Sequence, residues 1–180
     1  MAVIMACRNL KKAETAKQQI LEKAPNAQVE TMEIDLSSLK SVRAFAAAFL
    51  KKHKTLDLLI NNAGVMIPPY SKTEDGFELQ MGANYFGHFL LTGLLLEAIE
   101  NTPNSRIVSL SSIAHKSGKI NFDDLQSEEN YSKMEAYSQS KLACLMFAFE
   151  LQKRLDAKGS KTLSVAAHPG VSNTNLSQHI

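Results

Sequence analysis

A chain of 180 residues suits one well-cored domain and is short for two, so residues 1–180 are expected to form a single domain. Its net charge of +2, without a basic stripe interleaved with aromatics, excludes a nucleic-acid-binding reading. Two cysteines, Cys7 and Cys144, lie in apolar runs without His or Cys partners at ligand spacing, which excludes a disulfide framework and a zinc site.

Ala2 to Cys7 is a continuous apolar run, the pattern of a strand buried on both faces. Asn9 can cap a helix reaching about Ala24, with Ala13, Ala16, Ile20 and Leu21 as its inner stripe. Val29 to Ile34 reads as a second strand, after which Ser37 or Ser38 caps a helix through about His53 that buries Val42, Phe45, Ala46, Phe49 and Leu50. Leu56 to Ile60 is a third strand, running into Asn61-Asn62-Ala63-Gly64. One long helix is expected over Leu79 to Glu100, then a fourth strand over Arg106 to Leu110, ending in Ser111-Ser112. The polar span His115 to Lys133 is a loop. A helix to about Ala157 and a strand over Thr162 to Ala167 follow, closed by Pro169-Gly170. The apolar run Phe89 to Leu96 is broken by Thr92 and Gly93 and is too short to span a bilayer. Arg8 comes too early for a signal peptide, so a cytoplasmic protein is expected.

Strands alternating with helices, without hairpin signals, predict a doubly wound parallel α/β sheet of Rossmann type. Ligands bind such sheets beyond the carboxyl ends of the strands. Arg8, Asp35, Asn61 to Gly64, Ser111-Ser112 and His168 to Gly170 each follow a strand end, so all gather along that edge. Within the last helix Tyr137 and Lys141 stand one turn apart on one face. A neighbouring ammonium favours a phenolate and so lowers the phenol's pKa, which would suit Tyr137 to exchange a proton with an alcohol or carbonyl oxygen. His88, His115 and His168 read as structural.

Asn61-Asn-Ala-Gly64, Asn84-Tyr-Phe-Gly87, Ser111-Ser112, Tyr137-x-x-x-Lys141 and Pro169-Gly170, in that order, resemble the motifs of the short-chain dehydrogenase/reductase family. The long segment between Ser112 and Tyr137 resembles the insertion of its retinol-dehydrogenase-like branch. The resemblance implies a nicotinamide-dependent oxidoreductase acting on a small alcohol or carbonyl compound, and allows a homo-oligomer. It implies Tyr137 as acid/base, Lys141 as the residue that tunes it and holds the nicotinamide ribose, and Ser112 as a hydrogen-bond donor to the reacting oxygen. Asn84 would anchor a water in a proton relay to Lys141. Plainer readings stand beside these: Ser112 as a strand-end hydroxyl and Asn84 as an ordinary helix amide bonded to backbone.

On the cofactor side the resemblance implies Asn62, Ala63, Gly64 and Asp35 near the adenosine, with Pro169, Gly170, Val171 and Thr174 near the nicotinamide. Gly64 could equally form a simple turn, and Asp35 could be a helix-capping carboxylate. Arg8 stands where NAD-binding folds carry an acid for the ribose 2′-hydroxyl, and an arginine there suits a 2′-phosphate, so NADP(H) is expected over NAD(H). None of the eight glycines forms the family's Gly-rich phosphate turn, and the first strand that would carry it is missing. In the strand order 3-2-1-4-5-6 that strand lies between Ala2–Cys7 and Leu56–Ile60, so both should have open edges. The expectation is an incomplete, inactive piece of a working oxidoreductase. The alternatives are a non-catalytic interaction module and, from the shared Tyr-x-x-x-Lys, a sugar-nucleotide epimerase or dehydratase.

Overall fold

A computed structural model describes residues 2–170. Strand β1 (Ala2–Cys7) leads to helix α1 (Leu10–Lys23), where the Asn9 side chain accepts from the Lys12 N–H at 3.0 Å. Strand β2 (Gln28–Glu33) precedes α2 (Leu39–Lys52), and Ser38, not Ser37, caps that helix by accepting from the Ser41 N–H. Strand β3 (Leu58–Asn61) starts later than expected. The reason is local: the Leu56 N–H is already taken by the Ala98 carbonyl at 3.1 Å and the Thr102 hydroxyl at 3.0 Å.

The long helix over 79–100 is not uniform. A turn of α3 (Leu79–Met81), a π turn (Gly82–Phe86) and α4 (Gly87–Glu100) follow one another. Glu78 starts it, its carboxylate accepting from the backbone N–H groups of Gln80 and Met81 at 2.9 and 2.8 Å. Strand β4 (Arg106–Leu110) ends before a 3₁₀ helix (Ile113–Ser117), inside the stretch expected to be loop. Helix α5 (Lys133–Ala157) and strand β5 (Leu163–Ala167) complete the order.

All strand pairs are parallel, in two sheets ordered β1-β2 and β3-β4-β5. Among the described residues β1 and β3 each have one partner, which is the gap the sequence implies. What joins the sheets is a shared core under them. Met32 and Ile34 near β2, Val42, Phe45 and Phe49 of α2, Leu91, Leu95 and Ile99 of α4 and Ile107 of β4 pack as one cluster. Within each sheet the strands point the same way, so their carboxyl ends lie together at one edge.

The opposite face is thinly covered. In register, Leu58 lies beside Arg106 and Leu163, and Ile60 beside Val108 and Val165. Ile60 is 53% exposed, and Leu58, Leu163 and Val165 are exposed as well. Two expectations are corrected here. β1 is not buried on both faces, since Val3 is exposed and, among the described residues, only β2 pairs with the strand. Ile20 is exposed rather than part of the inner stripe, because among the described residues no other helix packs beside α1.

The two faces should respond differently to substitution. In the 180-residue chain, Ile99→Ala should cost about 2–5 kcal/mol of unfolding free energy, while Ile60→Thr should cost less than about 1 kcal/mol. Denaturant midpoints at constant slope provide the measurement.

Candidate active site

Tyr137 and Lys141 lie in the second and third turns of α5, whose N-terminus is capped by Ser132. Both side chains are buried, with the Lys141 Nζ 5.7 Å from the Tyr137 ring centroid. Nζ donates to the Leu110 carbonyl at 3.1 Å, at the end of β4. The two serines that follow divide their work. Ser111 is buried and donates to the Lys141 carbonyl at 2.7 Å, fixing α5 against the strand end. Ser112 is half-buried, caps the 3₁₀ helix through Ala114 N–H at 3.3 Å, and sits beside the Tyr137 phenol. Ser112 is thus the serine placed toward the tyrosine, as the resemblance implies.

The expected direction of tuning is reversed. Burial pushes the Tyr137 phenol up, and the Ser112 hydroxyl beside it acts the other way without winning. Burial also pushes the Lys141 ammonium down. The spacing brings the pair together, but Nζ is drawn to the Leu110 carbonyl over the ring face, and the cost of desolvating either charge dominates.

Asn84 is 1% exposed and lies in the π turn. Its Oδ1 accepts from the Val65 N–H at 2.7 Å, and its Nδ2 donates to the Val65 carbonyl and to Ser140 Oγ, each at 3.0 Å. Ser140 in turn donates to the Tyr137 carbonyl at 2.8 Å. Gly64 is forced by this packing: a Cβ there would stand 2.9 Å from Asn84 Oδ1 and 3.6 Å from Lys141 Nζ. The main-chain carbonyl of Asn84 accepts from His88 Nδ1 at 2.9 Å and from the Cys144 thiol at 3.2 Å. Burial depresses His88 to about 4, so near neutral pH the ring is uncharged.

The cofactor-side residues meet only in part. Arg8, Asn62, Ala63, Pro169 and Gly170 are exposed along the carboxyl edge. Val171 and Thr174 lie outside the described residues. Asp35 does not cap α2; its Oδ1 accepts from the N–H and hydroxyl of Ser37, at 2.9 and 2.6 Å. The residues that the sequence did not single out are the supports. Gln80, fully buried, bonds Ile67 N–H, the Tyr131 hydroxyl and the Lys133 carbonyl, tying the segment after β3 to the start of α5. Gln139 holds the 118–132 segment through Asn121 and Leu125. Neither glutamine carries a sequence signal, because its hydrogen-bond partners are remote in sequence.

The family model for short chain dehydrogenase matches residues 1–180. Retinol dehydrogenase 12 of Homo sapiens is 51% identical over 177 residues, covering 98% of this chain and 55% of that protein. Retinol dehydrogenase 13 of Homo sapiens is 48% identical over 178 residues, covering 98% and 53%. The chain therefore spans about half the length of these relatives. A crystal structure of an uncharacterised protein from Mycobacterium Paratuberculosis superposes with a TM-score of 0.85 at 49% identity, over 99% of this chain and 62% of that one. A Pseudomonas aeruginosa RhlG/NADP active-site complex, at 23% identity and a TM-score of 0.73 over 99% of this chain and 66% of its own, shares the fold. No helix among the described residues is long and apolar enough to cross a membrane.

Two outcomes are expected from the geometry. At Gly118 a Cβ would stand 2.5 Å from the Ser138 carbonyl, so Gly118→Ala must push the segment after Ser112 away from α5. It should cost about 1–3 kcal/mol, read as a lowered melting temperature. His88 has its folded pKa depressed from 6.5 to about 4, so its contribution is fully present above pH 6.5 and lost as pH falls toward 4. That loss, about 3 kcal/mol, should appear in unfolding free energies measured across the window and be missing in His88→Gln.

Proposed function

We propose a function from one premise: the chain belongs to the short chain dehydrogenase family, in its retinol-dehydrogenase-like branch. In the whole protein these residues interconvert an alcohol and a carbonyl compound with NADP(H). The observation that carries the reading is the convergence of Ser112, Tyr137 and Lys141 at the carboxyl end of β4. The relatives named as retinol dehydrogenases, together with the apolar run Met66-Ile67-Pro68-Pro69, favour a lipophilic substrate.

The residues present fit the nicotinamide end of the cofactor. Lys141 is buried, yet only one of its three ammonium protons finds an acceptor among the described residues, and ribose hydroxyls offer the others. Arg8, exposed at the end of β1, would take a 2′-phosphate. Asp35, Asn62, Ala63 and Gly64 would border the adenosine, and Pro169, Gly170, Val171 and Thr174 the nicotinamide. When bound, the cofactor supplies or receives the hydride.

The protein's own part is proton and charge handling. As a carbonyl is reduced its oxygen turns negative, and the hydroxyls of Ser112 and Tyr137 stabilise that charge by hydrogen bonding. Tyr137 then gives its proton to that oxygen, and in the reverse direction it takes the alcohol's proton. Lys141 offsets the phenolate that donation leaves behind. Asn84 keeps Lys141 and Tyr137 in register through Ser140, and would anchor a relay water on the lysine side.

In the full-length protein, Tyr137→Phe should abolish turnover with a lipophilic aldehyde while NADPH fluorescence titration still saturates. Turnover surviving the substitution removes Tyr137 from the acid/base role. No saturation in the parent protein would favour a non-catalytic member of the family. Arg8→Asp should lower the ratio of kcat/KM for NADPH over NADH by more than tenfold, and an unchanged ratio would remove Arg8 from cofactor choice.

A further inference from the structure

Behind the π turn lies a small cavity lined by Asn61, Asn84, Tyr85, His88, Ser109, Leu110, Cys144 and Phe147, which leaves the centre of a water molecule about 10 Å³ to occupy. Two side-chain atoms lining it are anomalous. Asn61 Oδ1 and Ser109 Oγ are buried without a hydrogen-bond partner among the described residues, and each residue is 3% exposed. They are not scattered: Asn61 and Ser109 are register partners on β3 and β4, a strand spacing of about 4.8 Å apart, and so within reach of one shared molecule. The other end of the Asn61 carboxamide donates to Thr92 Oγ1 at 3.0 Å, so either setting of that amide leaves one terminal atom over. An unmatched buried polar atom costs about 1–3 kcal/mol, and two side by side call for a common partner.

His88 completes the set. Its Nδ1 lies 2.9 Å from the Asn84 carbonyl, which can only accept, so Nδ1 carries the proton. The uncharged ring then leaves Nε2 as an acceptor, with no protein donor bonded to it among the described residues and, unlike Asn61 Oδ1 and Ser109 Oγ, not wholly enclosed. The remaining groups are two acceptors and a hydroxyl that can do either, which is the complement of one water.

We propose that this cavity is a built site for a single water, which donates to Asn61 Oδ1 and His88 Nε2 and accepts from the Ser109 hydroxyl. The water fixes the histidine in the tautomer that donates to the Asn84 carbonyl. His88 is thereby a positioning residue for the π turn, with the Cys144 thiol as the second donor to the same carbonyl. Its bearing on turnover rests on the proposed function; the water site does not. Three bonds to one buried water in a space of this size is the ordinary arrangement for internal water.

The test uses the full-length protein and needs no turnover. A crystal structure at a resolution that shows ordered water should have a peak within hydrogen-bonding distance of Asn61 and Ser109. The ¹⁵N spectrum should show His88 as one tautomer, protonated at Nδ1. Ser109→Val, which fills the space and removes the hydroxyl, should lose the peak, shift the Nε2 resonance and mix the tautomers. A cavity without density in the parent protein, or His88 signals unmoved by Ser109→Val, overturns the proposal. Should Ser109→Val fail to fold, Ser109→Ala keeps the space but removes one partner, and it must still shift the Nε2 resonance. A catalytically silent protein that shows the water would sink the enzyme reading and leave this site standing.

Discussion

The carboxamide of Asn84 is the contact on which the site is assembled. Its oxygen and nitrogen bridge both backbone groups of Val65, just after β3, and its nitrogen reaches Ser140 on α5. Three segments far apart in sequence are thus joined by one fully buried amide whose bonds all have partners. Leaving any of them unmet would cost about 1–3 kcal/mol, a large part of a domain's total stability. The π turn follows from this demand. An α-helical register over 82–86 would turn the side chain elsewhere, and the extra residue in the turn aims it at Val65 and Ser140. Gly64 follows as well, since any side chain there would press on the same oxygen.

A second constraint acts at the scale of the sheet. Strand pairing does not connect β1-β2 with β3-β4-β5, so the carboxyl edge is continuous only because α2 and α4 pack on each other beneath both. Val42, Ile99 and Ile107 have no exposed surface, whereas the opposite face leaves Ile60 and Val165 in solvent. Side-chain packing on one face thus performs the alignment that hydrogen bonding performs within each sheet. The burden falls on few residues, and it explains why Phe45, Phe49, Leu91 and Leu95 are large and apolar without interruption.

Much of this was legible in the sequence, because the signals were periodic or local. Alternating strand and helix patterns gave the parallel order and the strand-end edge, and the four-residue spacing put Tyr137 and Lys141 on one face. Asn9 and the serines before α2 announced their helices through short side chains ahead of apolar stripes. What escaped depended on neighbours. The π turn hides within an apolar pattern that suits an unbroken helix equally well. Exposure of Val3 and Ile20 depends on which surfaces lie opposite, and a single segment says nothing of that. Gln80 and Gln139 are ordinary polar letters whose bonds run to 67, 131, 121 and 125. The sign of the tyrosine shift was missed because spacing reveals the partner and not the solvent.

That last point bears on the chemistry itself. Burial makes charge costly on both Tyr137 and Lys141, raising one pKa and lowering the other. Burial is the largest influence on each, with the Ser112 hydroxyl acting the other way on the tyrosine and the Cys144 thiol acting upward on both. Neither charge is cheap alone, although Nζ lies only 5.7 Å from the centre of the ring. The Leu110 carbonyl holds the ammonium to the strand end by one proton and leaves two without a protein acceptor among the described residues. Ser111 keeps that geometry from drifting by fixing the same residue's backbone. The spacing chooses which groups are neighbours, and burial decides what a charge on either one costs.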